Sequence, residues 1–188
     1  MFCLQILRSI LNRLIYNKSY YTIDSSITDG NVGGRKNRSV RDNIFVISAV
    51  INSVKQGDSK PIQVQVMEAE VFFDKLWLQS CIDSLYEAGI TNDYINFLYI
   101  ENKNTQIAVT IINRLSSRKY VHYVVIQGSV WGTLKCTTTL DDMNKIAMAD
   151  KSLQYNYKGD SSIPIGVLGM VDDTLAIADC GNQSIKKN

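Results

Sequence analysis

Two adjacent acids, Asp172-Asp173, interrupt an otherwise apolar run over residues 166–178, and this interruption constrains the chain more than any other feature. Val167-Leu168-Gly169-Met170-Val171 leads in and Thr174-Leu175-Ala176-Ile177-Ala178 leads out. Both halves are strand-forming, so the segment reads as a β-hairpin with two carboxylates at its tip. Carboxylates held that way can grip Mg²⁺. Asp also favours turns for local hydrogen-bonding reasons, which alone would explain the pair. What decides between the two is whether the rest of the chain supplies partners.

The 188 residues are 45% hydrophobic and 20% charged, the composition of a folded domain rather than of a disordered chain. The net charge of +2 is too small to signal nucleic acid by itself, so any basic footprint must be local. Cys3, Cys81, Cys136 and Cys180 are scattered without C-x-x-C spacing, and His122 is the single histidine. That excludes a recognisable zinc site and predicts buried thiols in a reducing compartment. His122 reads as a strand residue with one polar partner. The apolar residues 2–15 are broken by Arg8, Asn12 and Arg13, so they have neither the length of a membrane span nor the order of a signal peptide. Leu4, Leu7, Leu11 and Leu14 fall at helical spacing and predict one face of an amphipathic helix. The expectation is an intracellular protein, of cytoplasm or nucleus, with no membrane partner.

Further along, Gly33-Gly34-Arg35-Lys36-Asn37-Arg38-Ser39-Val40-Arg41-Asp42 is a basic, glycine-containing loop. It empties into a helix over 43–56, with Ile44, Ile47, Ile51 and Val54 on one face and Gly57 as its stop. Such a loop can hold phosphates through backbone N–H groups and Arg side chains. It reads equally as a solvated surface loop, and G-x-x-x-x-G-K-[ST] cannot be laid on it. Ile62-Gln63-Val64-Gln65-Val66 alternates strictly, predicting a strand with one buried face that runs to the acidic corner Glu68-Ala69-Glu70. Helices are predicted over 75–88, with Leu78, Cys81, Ile82 and Leu85 inward, and over 92–100. Strands over 106–112 and 119–126 flank a hairpin turn at 114–118; a helix then runs to about 148, and 153–157 is a short strand. Asp141-Asp142 falls inside or at the cap of that helix, which suffices to explain it.

Four of these pieces resemble, in order, the motifs of the reverse transcriptase domain of non-LTR (LINE-type) retrotransposons. Residues 35–42 are similar to the fingers motif G-F-R-x-G-R-S-x-x-D. Residues 68–77, with Phe73-Asp74-Lys75-Leu76, are similar to the palm motif D-x-x-x-A-F-D-x-[LV]. Gln127-Gly128-Ser129-Val130-Trp131-Gly132 resembles Q-G-x-x-x-G, and Met170-Val171-Asp172-Asp173 resembles the [FY]-x-D-D box. The resemblance implies an RNA-directed DNA polymerase acting on an RNA template, a DNA primer and dNTPs, with Mg²⁺ or alternatively Mn²⁺ as cofactor. It makes Glu68, Asp172 and Asp173 the catalytic metal ligands. Phe73 becomes the gate against the ribose 2′-OH, Gln127 and Gly128 face the nucleotide and template, and Arg35 and Arg38 are cations near substrate phosphates. The chain departs from the family at position 68, where Asp is usual and Glu stands. The extra methylene shifts that carboxylate by roughly a bond length, and misplacement by about 1 Å can cost on the order of 10²-fold in rate.

The expected fold is therefore α+β: a polymerase right-hand palm, built as a small antiparallel sheet backed by helices, with partial helical fingers and no thumb. Residues 1–60 are expected to form the partial fingers and 61–188 the palm. The competing expectation is a catalytically inactive retroelement remnant that at most binds nucleic acid.

Overall fold

The computed structural model describes residues 2–70, 72–103, 105–112, 114–121, 125, 129–150, 154–157 and 164–180. The fold is mixed α+β. Two compact units are built from interleaved stretches of chain: Met1–Ser26 with Val71–Thr139, and Ile27–Glu70 with Leu140–Asn188.

The first unit contains α1 (Phe2–Ser26), the short α3 (Phe72–Lys75), α4 (Leu78–Glu87), α5 (Asn92–Lys103) and the first half of α6 (Gly132–Ala149). Helix α1 runs well past residue 15, and its leucine stripe is not the buried face. Leu7, Leu11 and Leu14 are 61%, 44% and 54% exposed, while Ile15, Tyr20 and Ile23 are buried. The reason lies in the tyrosines. Tyr16 stacks edge-on to Trp131 at 5.4 Å and lies 5.7 Å from Tyr20, and aromatic rings carry more buriable surface than leucines do. In α4, Cys81, Ile82 and Leu85 are buried as the periodicity predicts. Within the strands expected over 106–112 and 119–126, the described residues form two short ladders. β2 (Gln106–Ile107) pairs with β5 (Lys119–Tyr120), and β3 (Thr110–Ile111) pairs with β4 (Arg114–Leu115). The chain therefore reverses between Ile111 and Arg114 rather than at 114–118. Ser116 fixes this register, because its N–H donates to the Val109 carbonyl and its Oγ accepts from the Val109 N–H, both at 2.9 Å. His122 lies outside the described residues.

Lys135, on α6, is buried within this unit. Burial pushes its ammonium pKa down, opposed in part by Cys81, Glu101 and Cys136. The unfolded chain thus holds this proton to higher pH than the folded one, and stability rises as pH climbs from the folded pKa toward the ordinary 10.5. Lys135→Met is expected to stabilise the protein by about 1–2 kcal/mol at neutral pH. Denaturant unfolding at stepped pH values should show that advantage shrinking as pH approaches 10.5.

The second unit contains α2 (Val40–Lys55), β1 (Ile62–Glu68), the second half of α6, β6 (Tyr155–Asn156), β7 (Pro164–Ile165), β8 (Val167–Met170) and β9 (Asp173–Asp179). Strands β1, β9 and β8 form an antiparallel sheet in that order, from the segments expected to form one. Ser39 caps α2 in a reciprocal capping box with Asp42. Val50, Tyr155, Leu168 and Ile177 make the core, with Val46, Ile47 and Ile62 packed against it. The inner face of α2 is thus turned from the expected one, leaving Ile44 54% and Ile51 38% exposed. Asn43 accounts for the turn, since it is buried and donates from Nδ2 to the Gly169 carbonyl at 3.2 Å. The expected buried face of β1 is also absent: Ile62 is half-buried and every residue from Gln63 to Glu68 is exposed. β1 is the edge strand, and the core reaches it only at Ile62. Among the described residues, no helix is long and apolar enough to cross a membrane.

Candidate active site

The acids sit at one end of the second unit's sheet. Met170 and Asp173 are opposed across the hairpin, so Val171-Asp172 is a two-residue turn. Val171 has φ of 60°, at a position that glycine usually fills in hairpin turns. A β-branched residue there is strained by on the order of 1–3 kcal/mol and needs its surroundings to hold it. On the other side of β9, Glu68 is the direct antiparallel partner of Asp173. Opposed residues share a sheet face, with Cβ atoms about 4.5–5.5 Å apart. Asp172 continues the ladder, its carbonyl accepting from the Ala69 N–H at 3.3 Å. The structure therefore brings Glu68 against Asp173 on one face, with half-buried Asp172 at the turn beside them. Like charges directly opposed across strands repel, so this end of the sheet favours a cation.

Those oxygens suit a hard divalent ion. Mg²⁺ is usually held by one or two carboxylates with substrate phosphates completing the shell, and Glu68 and Asp173 offer such a pair. Among the described residues, no group of three or more His, Cys, Asp or Glu side chains is gathered to hold a metal by itself.

The turn is held from behind by residues 28–35. Gly169 donates its N–H to the Gly30 carbonyl and accepts from the Val32 N–H, both at 2.9 Å, which adds a parallel bridge at Asn31 to the sheet edge. The approach is close enough to require glycine. A Cβ on Gly30 would lie 2.3 Å from the Val167 carbonyl oxygen, and one on Gly33 would lie 2.3 Å from the Val171 nitrogen.

The basic loop divides into inner and outer cations. Arg35 is buried, and its Nη1 donates to the carbonyls of Thr28 and Asn31, each at 3.0 Å. Lys36, Arg38 and Arg41 are exposed, and Arg38 meets the exposed carboxylate of Asp29 at 2.9 Å. Removing Arg35 takes a charged donor from two carbonyls, so Arg35→Ala is expected to cost about 2 kcal/mol. Arg38→Ala, which breaks only a surface pair, should stay within about 0.5 kcal/mol; thermal melts of the two variants check the contrast. Arg38 also lines a cavity of about 620 Å³ with Asp29, Asp42, Val46, Pro164 and Leu168, a cavity in which Glu68, Asp172 and Asp173 have no part.

Of the other expected site residues, Phe73 lies in α3 of the first unit, half-buried, with its carbonyl accepting from the Val125 N–H at 3.0 Å. Gln127 and Gly128 lie outside the described residues. Asp141, which a helical or capping position would explain, is fully buried, and no local sequence signal marks it.

No protein-family model and no curated protein matches the chain. Among solved structures, it is similar to apo telomerase from Candida tropicalis truncated from its C-terminal domain, with a TM-score of 0.57 over 91% of this chain at 11% identity. The fold is reverse-transcriptase-like. Telomerase is a reverse-transcriptase-related polymerase, and this chain spans 34% of that telomerase chain. A telomerase from Candida albicans, in complex with a TWJ fragment of telomeric RNA, superposes at a TM-score of 0.43 and 11% identity, over 90% of this chain and 30% of that one. The fold assignment rests on the first. A reverse-transcriptase-like fold is the coarse part of the sequence expectation; its LINE-type origin is a separate matter.

Proposed function

We propose that the chain is the palm-bearing part of an RNA-directed DNA polymerase of LINE type, adding dNTPs to a DNA primer on an RNA template. The observation that carries this reading is Glu68 opposed to Asp173 beside the Asp172 turn, within a reverse-transcriptase-like fold. Mg²⁺, when bound, supplies Lewis-acid stabilisation of the charge that develops in phosphoryl transfer. The chain's own part is to hold the three carboxylates at the sheet end and to present Lys36, Arg38 and Arg41 to phosphates by charge-assisted hydrogen bonds. Arg35 supports that loop from inside. In this reading Phe73 screens the sugar and Gln127 and Gly128 face the nucleotide. LINE-type origin rests on the order of the four sequence motifs.

Primer extension on an RNA template, with Mg²⁺ and with Mn²⁺, tests the proposal. Glu68→Asp withdraws the carboxylate by one methylene toward the family's usual position, and an increase of on the order of 10-fold or more is expected. If neither metal supports extension before or after that change, the second reading takes over: an inactive remnant that binds nucleic acid. That reading is favoured by Glu68 itself and by the lack of three gathered acids among the described residues. It predicts salt-dependent binding in which Lys36→Ala and Arg38→Ala each lower the salt slope by about 1. Unchanged slopes in a salt titration would remove the loop from both readings.

A further inference from the structure

Asp141 on α6 is 0% exposed and belongs to the second unit. Its carboxylate gathers donors from far along the chain. Oδ2 accepts the Thr28 N–H at 3.0 Å, and Oδ1 accepts the Thr28 hydroxyl at 2.6 Å and the Asn31 Nδ2 at 3.4 Å. Lys145, one turn on, brings its ammonium to 3.5 Å of Oδ2. A buried carboxylate is tolerable only when so satisfied, and here the satisfaction falls on one short segment. Asn31 passes it on, since its Oδ1 accepts from the Gly33 N–H at 3.3 Å. Gly33 in turn abuts the Val171 nitrogen, and Val171 is the strained residue that precedes Asp172.

We propose that Asp141 is a positioning residue for the carboxylate turn, acting through Thr28, Asn31 and Gly33 to hold Val171 and so to set Asp172 and Asp173 against Glu68. This rests on the metal-binding reading of that turn. The hydrogen bonds of Asp141 go to Thr28 and Asn31. They fix the segment against which the turn is pressed, as outer partners of a metal site commonly do. The chemistry makes a specific demand. Asp141 serves as acceptor at both oxygens, so an amide of the same shape must turn its Nδ2 toward either the Thr28 N–H or the Asn31 Nδ2, both donors, and lose that bond.

The experiment compares Asp141→Asn, and Thr28→Val as a milder variant that removes only the hydroxyl, with the original protein. Amide hydrogen exchange of residues 167–175 is read by mass spectrometry, and Mn²⁺ binding is read from loss of the free-ion electron paramagnetic resonance signal. Asp141→Asn is expected to speed exchange in that segment about 10-fold or more and to weaken Mn²⁺ binding by about 10-fold, with Thr28→Val showing smaller shifts in both. Leu98→Ala, a core truncation in the first unit, should lower global stability and leave Mn²⁺ binding unchanged. Unchanged exchange over 167–175 in both variants overturns the proposal. So does an equal loss of Mn²⁺ binding in Leu98→Ala, because general destabilisation would then explain it. If the original protein binds no Mn²⁺, the metal reading of the turn fails, and the exchange comparison alone decides whether Asp141 holds it.

Discussion

Asp173→Asn is expected to lower primer extension by about 10³-fold, because losing several kcal/mol of metal-mediated charge stabilisation translates at 1.36 kcal/mol per tenfold. The amide keeps the shape and the β9 backbone pairing with Glu68 and Met170. What it removes is one of two opposed negative charges. The variant should therefore fold at least as well as its parent, since the cross-strand repulsion is gone. Activity and stability moving in opposite directions is the signature sought, with single-turnover incorporation and thermal unfolding measured on one preparation. If Asp173→Asn extends primers within tenfold of its parent, Asp173 has no part in the chemistry.

Gly33→Ala carries the largest expected structural effect. The new methyl would stand 2.3 Å from the Val171 nitrogen and 3.0 Å from its Cα and Cγ2. The first two are backbone atoms of a turn already strained at φ of 60°, so no rotamer change relieves the clash. Overpacking of this kind is expected to cost about 3 kcal/mol. Gly57→Ala is the natural comparison, because nothing lies within 4 Å of its Cβ position and only its φ of 78° resists the change, at a cost of about 1–2 kcal/mol. Equilibrium urea unfolding should rank Gly33→Ala well above Gly57→Ala. An equal or reversed ranking would mean that residues 28–35 do not press on the turn.

The parts of this fold legible in the sequence are those whose signal is local. The two runs around Asp172-Asp173 announce the hairpin, and the alternation over residues 62–66 announces β1. Gly57 announces the end of α2, although the helix begins at Val40, after the Ser39 cap, and not at residue 43 as expected. Which face goes inward was less accessible. In α1 the leucines advertise one stripe and the tyrosines occupy another, and hydrophobic spacing does not weigh an aromatic ring against a leucine. In α2 a polar residue, Asn43, sets the rotation through a bond to Gly169 that no helical periodicity encodes. β1 alternates as a half-buried strand does, yet its place at the sheet edge depends on what α2 fails to cover.

At the candidate site the acids are visible in sequence and their pairing is not. Register places Glu68 opposite Asp173 rather than Asp172, and register is a property of two distant strands. The four cations of the basic loop look alike as letters, and burial separates Arg35 from the rest. Asp141 is the clearest omission. A helical or capping position explained it adequately, and its real partners lie more than a hundred positions earlier in the chain.

The pairing of β1 with β9 has a consequence for biogenesis. Their partners lie roughly a hundred residues apart, so at typical translation rates β1 leaves the ribosome about 5–20 s before β9 exists to receive it. For that interval Val64 and Val66, which stay 42% and 72% exposed even after folding, belong to a strand with both edges open. Nascent chains of this protein are expected to need a holding chaperone during that wait, and their yield to depend on the speed of synthesis between residues 68 and 179.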